Sequence, residues 1–152
     1  MTATFTRGES PAARFVHDEI HRQNQRLHNS AALGMERVLL EELAEVWEEC
    51  SQPDWDAYNA LPVNHDSLAL ARRLLLALPL GTKLPSIGAT PGGHISLEWH
   101  HSRRRTLTVT VNEGGDLHYA ALLGPGRTCG TEPFFDEVPQ VILDLIARVC
   151  QC

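Results

Sequence analysis

The sequence lacks the short motifs that would assign it to a large enzyme class. Its glycines do not assemble into a G-x-G-x-x-G or G-K-[ST] loop, which excludes the commonest phosphate-binding signatures. No G-x-S-x-G nucleophile elbow occurs. The four cysteines contain no C-x-x-C pair, so a structural zinc site is not expected. We therefore expect no cofactor and no metal. A non-enzymatic role is favoured, and an enzyme with an unfamiliar site stays open.

Membrane and secretion signals are also missing. No apolar run is long enough to span a bilayer, and the first residues lack the apolar core of a signal peptide. The cysteines (Cys50, Cys129, Cys150 and Cys152) are then expected to be reduced thiols of a cytoplasmic protein. The formal net charge of −6 argues against general affinity for nucleic acid, although a local basic patch would still bind one.

The chain of 152 residues fits one domain, and roughly its first 30 residues form a polar segment ahead of that domain. We expect residues 1–30 to form a flexible or helical arm and residues 31–152 to form a single domain. On a helix, His17, His21 and His28 would share one face. This pattern departs from the zinc-protease motif H-E-x-x-H, because Asp18 follows the first histidine. A partner-docking or solvated arm is favoured over a metal-dependent hydrolase that uses these histidines.

Periodicity predicts three helices and a meander, in the order α-α-β-β-β-β-α. Apolar residues from Met35 to Cys50 recur at helical spacing, and a leucine-rich helix capped by Asn64 ends before Pro79. The last helix is expected to begin near Asp136 and to accept Pro139 in its first turn. The fold class is therefore α+β: an antiparallel four-stranded meander with helices packed on one face.

Three runs between the helices alternate apolar and polar residues, at 94–100, 106–111 and 116–122. Short strands around 86–89 and 127–131 are expected to flank these three runs. The predicted order α-α-β-β-β-β-α nevertheless counts only four strands. Because a one-residue slip would turn the core outward, Trp99 should lie opposite Leu107, and Val109 opposite Tyr119. Trp99 is then a core residue, and Glu98 beside it faces outward.

Charge is concentrated at two places that we expect to bind a partner. The first helix carries an acidic face, and a hairpin tip carries consecutive arginines that suit phosphate or an acidic protein surface. With the outward Glu98, the expected partner-binding residues are Arg103, Arg104, Arg105, Glu98, Glu41, Glu45, Glu48 and Glu49. The alternative interpretation of both charged regions is that they only keep the protein soluble. Self-association into a homodimer through the two surfaces is a further option.

One segment, Trp55 to Pro62, combines two aromatics with a carboxylate. With the strand ending in Glu98-Trp99, it resembles a group of small, uncharacterised bacterial proteins that carry W-D-G-Y-G-A…P and D-G-x-I-x-L-E-W segments. Ala57 and Asn59 replace the two glycines of the first segment, and Gly92 replaces the aspartate of the second. The resemblance covers roughly residues 54–111. It implies the architecture and a bacterial or mobile-element origin, and it carries over no catalytic residue.

The shared residues are expected to be structural: Trp55, Asp56, Tyr58, Pro62 and Trp99. Trp55 and Tyr58, one helical turn apart, should cover the same edge of the core, while Asp54 or Asp56 bonds free amides. For function we expect a non-enzymatic protein-binding factor, a small regulator or inhibitor that docks on a larger assembly. Anti-CRISPR proteins, which act on nucleoprotein complexes, exemplify this class. Nucleic-acid binding through the arginine hairpin is the other alternative.

Overall fold

The structure is a computed structural model that describes residues 31–151, with side chains from Gly34 onward. The predicted arm, and with it the three histidines considered for metal binding, lies outside these residues. By its internal contacts the chain divides into two compact units between Gly34 and Met35. The unit that begins at Met35 contains every strand that the structure describes.

The described part of the chain contains three helices and five strands. The helices are α1 (Ala31–Cys50), α2 (His65–Ala77) and α3 (Gln140–Cys150). The strands are β1 (Ser86–Ala89), β2 (Ile95–Ser102), β3 (Arg105–Val111), β4 (Asp116–Leu123) and β5 (Gly126–Pro133). The α+β class is confirmed. The count of four strands was wrong, because both flanking segments pair fully with their neighbours.

Local chemistry explains most helix boundaries. The Asn64 side chain accepts hydrogen bonds from the amides of Asp66 and Ser67, so it caps α2 as predicted. The predicted start of α3 near Asp136 was wrong. Asp136 adopts a left-handed conformation with φ 71°, and Pro139 is extended at the N-cap, so the helix begins at Gln140.

The five strands form one antiparallel sheet in chain order. Trp99 pairs with Leu107 and Val109 with Tyr119, so the predicted register is confirmed across both central hairpins. The inner face supplies the fully buried residues Ile95, Leu97, Trp99, Leu107, Val109, Val111 and Leu117. Helix α3 contacts β2, β3 and β4, and α2 contacts β2 and β3. The predicted burial of Trp99 is also confirmed, and its indole donates to the Lys83 carbonyl at 2.7 Å.

One buried hydroxyl connects α2 to the sheet. Ser67 has no exposed surface, and its Oγ donates to the Val111 carbonyl at 2.5 Å and accepts from the Ile95 amide at 2.9 Å. Ile95 and Val111 are register partners at the ends of β2 and β3. The hydroxyl therefore satisfies two buried backbone groups and fixes the start of α2 against the central hairpin.

The segment between α1 and α2 packs on the turn that joins β1 to β2. The Leu61 amide donates to the Pro91 carbonyl and the Asn64 amide to the Gly93 carbonyl, each at 2.8 Å. Gly93 has φ 84°, and a Cβ at this position would lie 2.6 Å from the Pro62 carbonyl oxygen. The segment before α2 and the β1–β2 turn are thus in direct contact, and the contact requires glycine at position 93.

Replacing Gly93 tests this contact. Gly93→Ala combines a strained φ with a clash against backbone, so we expect it to lower the free energy of unfolding by roughly 3 kcal/mol or more. Gly115→Ala is the matched control, because Gly115 has φ 87° but open space around it. Gly115→Ala should lower the free energy of unfolding only by the cost of the left-handed conformation, roughly 1–2 kcal/mol. Equal losses in urea unfolding would show that the close approach to Pro62 contributes nothing.

Candidate functional site

Residues 51–62 form a compact surface loop whose ends meet. The Val63 amide donates to the Cys50 carbonyl at 2.9 Å, which closes the loop where α1 ends. Trp55 is half-buried against the core, and its indole donates to the Leu61 carbonyl at 2.9 Å, which links the middle of the loop to its end. Closed loops of this length, packed by their own side chains, are frequently functional.

Two aspartates hold the loop from within. Asp56 accepts from the amides of Tyr58 and Ala60 at 2.8 and 3.0 Å, and Asp54 accepts from the Asn59 amide at 2.7 Å. The prediction that these carboxylates bond free amides is therefore confirmed. Each carboxylate satisfies backbone donors that the irregular chain leaves unpaired.

Three residues of the loop adopt left-handed conformations that favour glycine: Asp54, Ala57 and Asn59, with φ of 61°, 61° and 64°. The expectation that Trp55 and Tyr58 cover the same edge of the core was wrong. The left-handed residues prevent a helical turn, and Tyr58 projects into solvent with 85% of its surface exposed. Glycine, which the expected resemblance would place at positions 57 and 59, adopts this conformation without strain.

A groove runs between the two helices that the loop connects. Its volume is about 520 Å³. It is lined by Leu40, Leu43, Ala44 and Trp47 from α1 and by His65, Leu68, Ala69 and Arg72 from α2. Trp47 packs against the His65 ring with centroids 4.3 Å apart, beside the base of the loop. We call this feature the α1–α2 groove. Its walls are mostly apolar, and Arg72 is the cation among its lining residues.

The acidic side of α1 lies next to this groove. Glu41, Glu45, Glu48 and Glu49 are all exposed, as predicted. At 100° per residue the first three fall within one narrow stripe, and Ala44 of the groove wall lies beside that stripe. Glu41 is paired with Arg37 at 3.2 Å on the exposed surface. Like charges four residues apart, such as Glu41 and Glu45, destabilise a helix by about 0.2–0.5 kcal/mol per pair, so the stripe lowers the local stability of α1 slightly.

The remaining predicted partner-binding residues lie elsewhere. Arg103 and Arg104 are exposed at the tip between β2 and β3. Arg105 instead donates to the Gln151 carbonyl at the end of α3, where a cation also complements the helix dipole. Glu98 is exposed on the outer face of the sheet, paired in register with Ser86 and Thr108. The structure does not bring the arginines, Glu98 and the acidic stripe together.

Two of the described thiols, Cys50 and Cys150, are not activated. Burial raises the pKa of Cys50, with the neighbouring Glu49 adding to the effect, and burial also raises the pKa of Cys150 against the opposing effect of Lys83. A raised pKa leaves less of the nucleophilic thiolate at neutral pH.

Two histidines of the sheet make structural contacts. His94 contacts Glu113 at 2.6 Å between the ring Nε2 and a carboxylate oxygen, joining two turns of the sheet. Hydrogen bonds from the Glu113 backbone and from His94 lower the pKa of this carboxyl. His118 contacts the Asn112 side chain and the Thr131 hydroxyl. These contacts hold the two rings against neighbouring turns and strands, with His118 beside a hydroxyl on the exposed face of the sheet.

Within residues 31–151, no three histidine, cysteine or acidic side chains are close enough to hold a metal ion. Over the same residues, no helix is long and apolar enough to cross a membrane. In comparisons with protein-family models, curated proteins and solved structures, the chain matches none. The function must therefore be inferred from the surface itself.

Sequence reasoning missed the groove and the exposure of Tyr58. The groove depends on how two amphipathic helices diverge, which helical periodicity does not specify. Tyr58 lies between Ala57 and Asn59, where the expected resemblance would place glycine. Glycine on both sides of an aromatic residue indicates a turn tip, not a helical turn.

The loop conformation predicts an unusual sign for one substitution. Ala57→Gly should raise the free energy of unfolding by about 0.5–1 kcal/mol, because relief of the left-handed strain exceeds the added entropy of the unfolded chain. Ala44→Gly, in the middle of α1, is the control and should lower it by about 1 kcal/mol. Urea unfolding measures both. Destabilisation by both changes would contradict the left-handed assignment.

Proposed function

We propose that this protein is a non-enzymatic protein-binding factor that receives a basic amphipathic helix of its partner in the α1–α2 groove. The observation that carries the proposal is an apolar groove lying beside a stripe of exposed carboxylates. An amphipathic helix binds such a groove by inserting its apolar face. Basic residues flanking that face would then lie against Glu41, Glu45 and Glu48.

Charge complementarity defines the partner further. Exposed carboxylates accelerate the approach of a basic surface and disfavour acidic competitors. The groove walls provide the desolvated contact that most of the binding energy requires, with Trp47 as the largest apolar residue among them. The acidic stripe would thus attract the partner and the apolar groove would bind it. This arrangement agrees with a regulator or inhibitor that docks on a larger assembly.

The loop adds a preorganised contact at the end of the groove. Tyr58 is an exposed aromatic residue whose backbone amide is held by the Asp56 carboxylate, and aromatic side chains bind with little loss of conformational entropy. Left-handed backbone at ordinary residues costs stability and is concentrated at binding sites. The loop therefore supports the same proposal from an independent observation.

Blocking the groove tests the proposal. Ala69→Arg places a bulky cation on an exposed position of the groove wall without touching the core. Ala147→Arg is the matched control, since Ala147 is also an exposed helical alanine, on α3. With nuclease-treated bacterial lysate, proteins captured by the wild type should be lost with Ala69→Arg and retained with Ala147→Arg, as quantified by mass spectrometry.

The acidic stripe is tested in the same assay. A triple variant in which Glu41, Glu45 and Glu48 are all replaced by glutamine should capture less protein. The remaining binding should depend less on salt concentration, because the electrostatic attraction that salt screens has been removed. Capture that survives both Ala69→Arg and the glutamine variant would rule out this surface as the binding site.

A further inference from the structure

The last strand of the sheet has an edge that no other described element covers. β5 is terminal in the strand order, and six of its eight residues are exposed. Natural proteins shield long edges with lysines, bulges or covering elements. β5 pairs with β4 without a register shift, and its proline is at the last position. The edge is therefore straight, long and able to pair with another strand.

The hydrogen bonding of β5 shows which groups face this edge. The Phe134 amide donates to the Gly115 carbonyl, one step beyond the pair formed by Asp116 and Pro133. Because bonded and non-bonded residues alternate in an antiparallel ladder, the even-numbered residues of β5 bond to β4. Arg127, Cys129 and Thr131 then direct their N–H and C=O groups to the free edge.

We propose that β5 pairs antiparallel with β5 of a second copy of this chain, giving a two-fold symmetric dimer with one continuous sheet. A two-fold axis that relates neighbouring antiparallel strands is perpendicular to the sheet, so opposite residues share a face. With the axis at Cys129, each Arg127 lies opposite Thr131 of the second copy, and the two Cys129 residues lie opposite each other.

This register fits the strand for two reasons. First, it pairs all three outward-facing residues, whereas centring the axis on Gly130 would place Arg127 opposite Pro133, which has no N–H to donate. Second, no two large β5 side chains of the inner face oppose each other: Thr128 lies opposite Gly130, which the Tyr119 ring covers, and Glu132 lies opposite Gly126. No two like charges lie opposite each other, which favours pairing of the strand with itself.

Cross-linking tests the register directly. Opposite residues in a bonded antiparallel pair have Cα atoms about 5.5 Å apart, within disulfide range. In the full chain with Cys150→Ser and Cys152→Ser, and Cys50 left buried, copper phenanthroline should link Cys129 between copies. After Cys129→Ser is added, chains with Arg127→Cys should link to chains with Thr131→Cys when mixed. Chains with Arg127→Cys and chains with Thr131→Cys should form no cross-link when each variant is oxidised without the other.

Analytical ultracentrifugation tests the dimer. The wild type should approach twice the chain mass of 16.9 kDa as concentration rises. Cys129→Pro should shift it to the monomer, because proline removes the outward N–H and leaves the bonds to β4, while Cys129→Ser should remain dimeric. A monomeric wild type, a dimer that persists in a folded Cys129→Pro variant, or self-linking of Thr131→Cys chains would overturn the proposal. If Cys129→Pro fails to fold, the cross-linking pattern decides.

Discussion

The contact on which the rest of the structure depends is the buried hydroxyl of Ser67. It bridges the Ile95 amide and the Val111 carbonyl, which face each other at the ends of the two central strands. Helix α2 is thereby anchored at its first turn, immediately after the Asn64 cap. Because α2 forms one wall of the α1–α2 groove, this contact helps to position the proposed binding surface.

The loop of residues 51–62 both connects α1 to α2 and exposes an aromatic side chain to solvent. Its carboxylates and indole are directed inward and satisfy the backbone, while Tyr58 is directed outward. Its contact with Gly93 ties it to the sheet, and its closing bond lies at the end of α1. The strain at Ala57 is tolerated because these surrounding contacts determine the conformation. Structural roles and the proposed binding role are therefore divided among side chains of one segment.

Much of the fold was predictable from local patterns, and the site was not. Alternation fixed the register around Trp99, because slipping by one residue would bury the threonines of the outer face. Asn64 was recognisable as a cap from its place before an apolar run. The bond from Arg105 to the end of α3 joins positions far apart in the chain, and no spacing rule predicts it. The groove likewise depends on helix packing, which periodicity leaves undetermined.

The central claim is that the Ser67 hydroxyl joins α2 to the sheet, and equilibrium unfolding in urea tests it most directly. Ser67→Ala leaves a buried amide and a buried carbonyl without partners, so the free energy of unfolding should fall by about 1–3 kcal/mol. Ser86→Ala removes an exposed hydroxyl that donates to the Glu98 carbonyl, and it should change the value by less than about 0.5 kcal/mol. A loss for Ser67→Ala no larger than that for Ser86→Ala would contradict the account.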